Sequence, residues 1–420
     1  MDRPPTGQTP EGLPAPAIRI ETITDPTALP AAWTKLVSPD HPLLGIEWLK
    51  AACQSLSDGA HTRCVLAWQG PDLIGAAFFE AIPLRIGALG AIETSAPWTT
   101  RTAIRLLAAS HSGPPHVVVC GDILRNDVPA AHFDPDIASP ARLLHAMAEA
   151  ARVDINVSTI MVICSARSLG PDADQLTTHG YHRVDKAEPP MRVELASKWQ
   201  SFDDYIQAMR PKYRQRTRSA RKAGHEVTRA WLSSAEIGSH VDAFDQLLRP
   251  ILAKAPVTVS VPSGETIIAL KRALGDACRV RAYTHGDTLI AFAVSLHTAN
   301  ALEGLLVGFD PQQNTQFKLY QNILYDFIEE AIHTGAAYAS LGRTALEIKS
   351  AVGATPTEVP VYIRHPSALM HSVLGWVAGG LPSTTWTPRN PFRSGVAEPN
   401  SAQDHTPTGS ATAGRDQPLL

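Results

Sequence analysis

The sequence predicts an α/β protein made of two tandem halves, each a mixed sheet flanked by helices, with disordered tails at both ends. Three observations predict it. The C-terminal half reads strand, helix, helix, three strands, helix, strand, helix, strand. A hairpin in the N-terminal half, CVLAWQGPDLIGAAFF, is mirrored later by VRAYTHGDTLIAFAV, with Gly70, Leu73, Ile74 and Ala77 standing opposite Gly286, Leu289, Ile290 and Ala293. Residues 317–334 form the strongest amphipathic helix of the chain: Tyr320, Ile323, Leu324, Phe327, Ile328 and Ala331 recur at helical spacing, and Gly335 stops it.

In the C-terminal half, Ser201 opens a short helix whose apolar face is Phe202, Tyr205, Ile206 and Met209. Pro211 suits a second helix start, since proline lacks an N–H that the first turn does not need. That helix runs through a basic stretch to Gly224. EVTRAWL is a strand, and Ser233 with Glu236 forms a capping box for a helix carrying Ile237, Val241, Phe244 and Leu248. A helix spans roughly 263–274. RVRAY and LIAFAVSL pair through the turn His285-Gly286-Asp287, and LEGLLVGF is a third strand. A strand near 337–341, a short helix near 344–351 and a strand near 357–364 follow.

The N-terminal half reads as a degenerate copy. AIRIETI is a strand, and helices fit 28–37 and 46–56. Ser139-Pro140 starts a helix carrying Leu143, Leu144, Met147 and Ala151, and INVSTIMVIC is the strand after it. Residues 93–138 are broken by proline and glycine and yield no clear elements. The domain boundaries follow: a tail over 1–16, one half over 17–199, the other over 200–366, then a short helix and a tail over 367–420. The tails lack the apolar content that offsets ordering entropy, so 1–15 and 385–420 are expected to be dispensable.

Composition narrows the function. The 420 residues are 44% hydrophobic with a formal net charge of -3, which excludes a general nucleic-acid binder and predicts no DNA partner. Five scattered cysteines without a CxxC pair argue against a disulfide framework and a zinc site, so no metal is expected. The N-terminus has no apolar core of a signal peptide, and LMHSVLGWVAGGL is too short to cross about 30 Å of hydrocarbon. A cytoplasmic protein without integral membrane contact is the expectation.

Two segments carry a family resemblance: RPKYRQRTRSARKAG over 210–224, and LGRTALEIKSAVGATPTEVPVYI over 341–363. A basic helix followed much later by "G-R…E-x-K…G-A" resembles the GNAT-like acetyltransferases linked to biotin or cellulose operons. More distantly, it is similar to the Fem-type transferases that move amino acids from aminoacyl-tRNA onto peptidoglycan precursors. The resemblance covers roughly 40–370. It implies a GNAT fold, in which the strand before the main helix splays from its neighbour and acyl donors bind at the split. It also implies an N-acyltransferase using acyl-CoA on a small-molecule amine, in cell-envelope or polysaccharide metabolism. The alternatives are an aminoacyl-tRNA-dependent Fem-like transferase and a non-catalytic binding protein on the same fold.

The candidate site residues follow from both readings. Arg214, Arg218 and Arg221 share a helical face in a run of seven basic residues without an acid. They suit a phosphate-bearing ligand, or equally a solvated face or one paired with acids of the N-terminal half. Lys349 matches the Lys of the Fem-type "Phe-Lys-x-x-Phe-Gly" segment, here Ile348-Lys349-Ser350-Ala351-Val352-Gly353, with both aromatic positions aliphatic. It is expected to stabilise phosphate or oxyanion charge, or to be a surface helix lysine. Arg343 lies at a strand end as a binding residue. Glu347 is a candidate general base for the amine, or the i,i+4 ion-pair partner of Arg343. The stretch FDPQQNTQFK at 309–318 stands where a glycine-rich pyrophosphate loop belongs and contains no glycine, leaving Gln316 and Lys318 as phosphate contacts.

Overall fold

A computed structural model describes residues 17–38, 43–54, 59–83, 116–125, 127–153, 155, 159–164, 166–185, 188–253, 262–380 and 386–393. Its strands form two sheets. The first runs β1 (Ile18–Ile23), β2 (His61–Gln69), β3 (Asp72–Pro83), β4 (His116–Cys120), β6 (Thr159–Ile163), β15 (Val361–Arg364), β7 (His182–Val184), with β5 (Ala131–Phe133) also on β3. The second runs β9 (Thr228–Trp231), β10 (Cys278–His285), β11 (Thr288–His297), β12 (Ala301–Phe309), β13 (Tyr338–Ser340), β8 (Met191–Glu194), β14 (Thr355–Pro356).

The two sheets are the same sheet built twice. Along each path every neighbour is antiparallel except the central pair, β4 with β6 and β12 with β13, which is parallel. The hairpins agree in register as well. Trp68 faces Leu73 and Ala67 faces Gly75, so Ile74 bulges; Thr284 faces Leu289 and Tyr283 faces Ala291, so Ile290 bulges. Each bulged carbonyl accepts from an aspartate amide, Asp134 at 3.0 Å and Asp310 at 2.9 Å. Gly70 and Gly286 sit at the two turns with φ of 59° and 57°, a left-handed conformation that glycine adopts without a Cβ clash. The expectation that hairpins 63–80 and 279–297 occupy equivalent places therefore holds.

The expected boundary between residues 199 and 200 does not match the sheets. The last strand of each half crosses over: β8 follows β7 in sequence but pairs with β13 and β14, while β15 follows β14 but pairs with β6 and β7. MRVE and VYIR are four-residue strands, and strand patterning states a face and not a sheet. The halves also share a core. Trp33 and Leu49, from α1 (Ala31–Leu36) and α2 (Ile46–Gln54), belong to one cluster with Phe244 and Leu270, from α7 (Val241–Leu252) and α8 (Gly264–Leu274). A helix α3 (Pro140–Ala151) joins it through Leu143, Leu144 and Met147.

A second core lies under α4 (Phe202–Ala208), α5 (Pro211–Ala223) and α10 (Leu319–His333). The capping box of Ser233 and Glu236 forms at the start of α6 (Ser234–Ser239), and the expected single helix there breaks at His240 before α7. The stretch expected as a loop at 309–318 is a helix, α9 (Pro311–Phe317). Asp310 caps it by accepting from the Gln312 amide at 2.8 Å, and Pro311 takes the first position. Lys318, with φ of 52°, turns the chain from α9 into α10.

Helix α11 spans Leu346–Ala351, and α12 (Ala368–Gly380) lies on the first sheet through Met370 and Leu374. Among the described residues no helix is long and apolar enough to cross a membrane, and no His, Cys, Asp or Glu group is arranged for a metal. The expectation for the C-terminal end needs amending over 386–393. Phe392 is buried in the second core against Trp199 and Tyr205, and Arg210 donates from its amide to the Pro391 carbonyl at 2.7 Å and from Nε to the Phe392 carbonyl at 2.9 Å. Residues 1–16 and 394–420 lie outside the described residues.

Candidate functional site

Strand β12 stays with β13 for three rungs only, Ala301 to Glu303 against Tyr338 to Ser340. It then continues to Phe309 alongside β11, with Leu305 bulged between Gly304 and Leu306. The described residues give Gly304–Phe309 no further strand on the β13 side. A cavity of about 800 Å³ lies at the far end of this unpaired stretch of β12. Its walls are the end of β12 at Phe309, the start of α10, the start of α11, one face of α5, and the docked segment 386–393. Asn314 caps α10 from within this wall, its Oδ1 accepting from the Tyr320 amide at 2.9 Å. Arg216, Lys318 and Arg389 bring positive charge to the cavity, and Glu188 and Glu347 bring negative.

The basic helix meets the cavity on a different face from the expected one. Thr217 and Ala220 are buried and set the rotation of α5: Thr217 Oγ1 donates to the Tyr325 hydroxyl at 3.0 Å, and Asn322 donates to the Ala220 carbonyl at 2.8 Å. That rotation turns Arg216, Ser219 and Ala220 to the cavity. Arg218 is exposed and outside the lining. Arg214 is half-buried and donates to the Met209 carbonyl at 3.1 Å.

Arg221 is taken by structure. It pairs with Asp326, and with Glu329 at 2.7 Å, and lies 4.6 Å from the Phe202 ring centre. These acids come from α10 of the same half, not from the N-terminal half. Buried Asp326 also accepts from Arg229 at 3.1 Å and from the Tyr283 hydroxyl at 2.8 Å. A carboxylate removed from water needs such partners, and the arginine run supplies one of them.

Of the residues around α11, Glu347 lines the cavity. It does not pair with Arg343, because α11 starts only at Leu346 and the residues before it, Thr344 and Ala345, have φ of 65° and 51°. Glu347 instead accepts from the Thr387 amide at 3.0 Å and lies 3.8 Å from Arg389. Arg343 donates to the Glu188 carbonyl, and burial lowers its pKa. Lys349 is neither a surface lysine nor a cavity residue. It is 2% exposed and donates to the carbonyls of Gly342, at 3.2 Å, and Arg343. Burial pushes its pKa down to about 7, partly opposed by Glu188 and Asp127. Gln316 is exposed and outside the lining, while Lys318 is within it.

Sequence reasoning missed Arg216, Trp386 and Arg389. The stripe Tyr213, Thr217, Ala220, Gly224 at helical spacing carried the true phase of α5. Trp386 and Phe392 were two aromatic residues in a stretch otherwise read as a polar tail.

Residues 207–350, about a third of the chain, match the family model described as "Acetyltransferase (GNAT) domain". That segment holds α5, the splayed strand, α10 and nearly all of α11, so the second half carries a GNAT-type domain. None of the curated proteins matches. Among solved structures, the chain is similar to FemX at 10% identity, covering 78% of this chain and 93% of that one with a TM-score of 0.48. It is similar to a tandem GNAT protein from the clavulanic acid biosynthesis pathway at 10% identity, covering 84% and 100% with a TM-score of 0.47. A third likeness is to the C-terminal domain of a putative lysylphosphatidylglycerol synthetase from Agrobacterium fabrum, at 13% identity, 71% and 98% coverage and a TM-score of 0.40.

Proposed function

We propose that the second half transfers an acyl group from a coenzyme A thioester to an amine. The observation that carries the reading is the parting of β12 from β13 after Glu303, with a cavity at the free end of β12 lined by Lys318, Arg216 and Arg389 within and beside the matched domain. Cations at the start of α10 suit the phosphates of the donor, and the N-terminal end of a helix favours negative charge there. The amine nitrogen attacks the thioester carbonyl carbon, the C–S bond breaks, the thiolate leaves as coenzyme A, and the amine's proton must pass to a base. Of the two carboxylates on the cavity wall, Glu188 and Glu347, we assign the acceptor role to Glu347, which α11 carries. Lys349 acts at one remove: by holding the Gly342 and Arg343 carbonyls it fixes the turn that aims α11 and therefore Glu347.

An aminoacyl-tRNA donor is the second reading. Lys212, Arg216, Arg218 and Lys222 stand exposed on α5, a basic face that a nucleic-acid backbone would fit. Titration calorimetry with coenzyme A and with bulk tRNA separates the two, followed by thiol release from acetyl-CoA across a panel of amines. Arg216→Ala should weaken coenzyme A binding on the order of 10-fold or more, since a charge-assisted contact contributes about 1.5–3 kcal/mol. Arg221→Ala should leave affinity unchanged and lower the melting temperature. The opposite pattern, or binding of tRNA alone, removes the coenzyme A reading.

A further inference from the structure

The segment 386–393 lies beyond the matched domain, yet it forms one wall of the cavity. Its anchoring is specific. Phe392 is buried in the second core, packed over Gly353, where any Cβ would collide with the ring. The Arg389 amide donates to Ser350 Oγ at 3.0 Å, and the Thr387 amide donates to Glu347 at 3.0 Å. Two residues of the segment so held, Trp386 and Arg389, line the cavity beside Arg216 and Lys318. The matched domain brings Phe309 and Tyr320 to the lining, whereas among the described residues the indole there belongs to Trp386. Residues 348 and 352, the two aromatic positions of the Fem-type segment, are isoleucine and valine.

We propose that Trp386–Arg393 is a working wall of the ligand site, in which Trp386 stacks on the base and Arg389 contacts a phosphate of a nucleotide-bearing donor. The proposal rests on the donor reading above and adds where the nucleotide end is held. An indole is a broad π-face that accepts any base, and a guanidinium hydrogen-bonds phosphate through a planar fork. Three cations, Arg216, Lys318 and Arg389, in the same lining as the Trp386 indole match a ligand with several phosphates next to a base. The same segment meets Glu347 through Thr387 and Arg389, so nucleotide binding at this wall and the placement of the proposed proton acceptor are mechanically joined.

The test uses the full chain and two probes, coenzyme A and 4′-phosphopantetheine, which shares the arm but has no base. The unaltered protein should bind coenzyme A more tightly. Trp386→Ala should weaken coenzyme A about 10-fold and 4′-phosphopantetheine less than about twofold, so that the preference collapses. Trp386→Phe, which keeps a ring, should restore most of it. Arg389→Ala should weaken coenzyme A and flatten its salt dependence, because one screened charge is gone. Melting curves on each variant separate site effects from a displaced segment, since loss of docking alone weakens both probes equally. Equal affinity for coenzyme A in Trp386→Ala, Arg389→Ala and the unaltered protein overturns this inference and leaves the donor reading standing. A drop shared equally by both probes in Trp386→Ala also overturns it. Absence of coenzyme A binding by the unaltered protein overturns both.

Discussion

The two halves repeat one sheet topology, and they part company at one point on it. In the second half Ser295 faces Gly304 and Ala293 faces Val307, so β12 runs on past its bulge into the open cavity. In the first half Phe79 faces Cys120 and Ala77 faces Ala131, so residues 121–130 intervene where only Leu305 and Leu306 do in the other. The strand equivalent to β12 is thereby cut into β4 and β5, and β4 stays with β6 over five rungs from His116 to Cys120. The intervening stretch does not stay in its own half. Arg125 reaches Glu303 at 3.3 Å with both side chains almost wholly buried, and Asp127 accepts from Ser340 at 3.4 Å. Glu303 and Ser340 form the last rung of the seam before β12 and β13 separate. One copy of the sheet has kept the opening, and the other has used the equivalent stretch to brace the edge of that opening.

The largest expected effect tests the brace. Arg125→Ala leaves Glu303 buried without its cation, which costs roughly 3–5 kcal/mol in comparable pairs. Chemical denaturation of the variant should show that loss. A change below about 1 kcal/mol would mean that the first half does not support the seam in the way the geometry suggests.

A smaller effect belongs to Lys349, on the buried face of α11. Its folded pKa is lowered to about 7, against about 10.4 for an unfolded lysine. Between those values the unfolded chain holds a proton that the folded chain does not, so raising the pH across the window favours the folded state. Below pH 7 both states are protonated and the slope disappears. The stability of the unaltered protein relative to Lys349→Met should therefore rise from pH 7 to 10, by at most about 1.4 kcal/mol per pH unit. A flat or falling difference across that range would show that Lys349 is charged in the fold.

The smallest effect compares the copies directly. Gly70→Ala and Gly286→Ala each put a Cβ on a left-handed residue with open space around it, so backbone strain alone should act, at about 1 kcal/mol. Equal losses, within about 0.5 kcal/mol of each other, are expected from two equivalent turns. Unequal losses would show that the hairpins match in register and differ in support.

Much of this architecture is legible in the sequence. The hairpin correspondence, the capping box of Ser233 and Glu236, and the apolar stripe of residues 317–334 are local patterns, and local patterns survive into the fold because neighbours along the chain remain neighbours in space.

The remainder depended on which elements meet. Four-residue strands such as β8 and β15 carry a face but no address, so their exchange between sheets is set only when both sheets exist. The rotation of α5 was decided by Thr217 and Ala220 packing against α10, which turned Arg216 to the cavity and gave Arg221 to Asp326. The fate of residues 386–393 was decided by a hydrophobic slot over Gly353 that takes Phe392. Periodicity states how a segment is amphipathic, and burial depends on what another segment brings to it; that is why the sequence determined the repeated sheet and its helices, and only the tertiary structure decided which charges face the cavity.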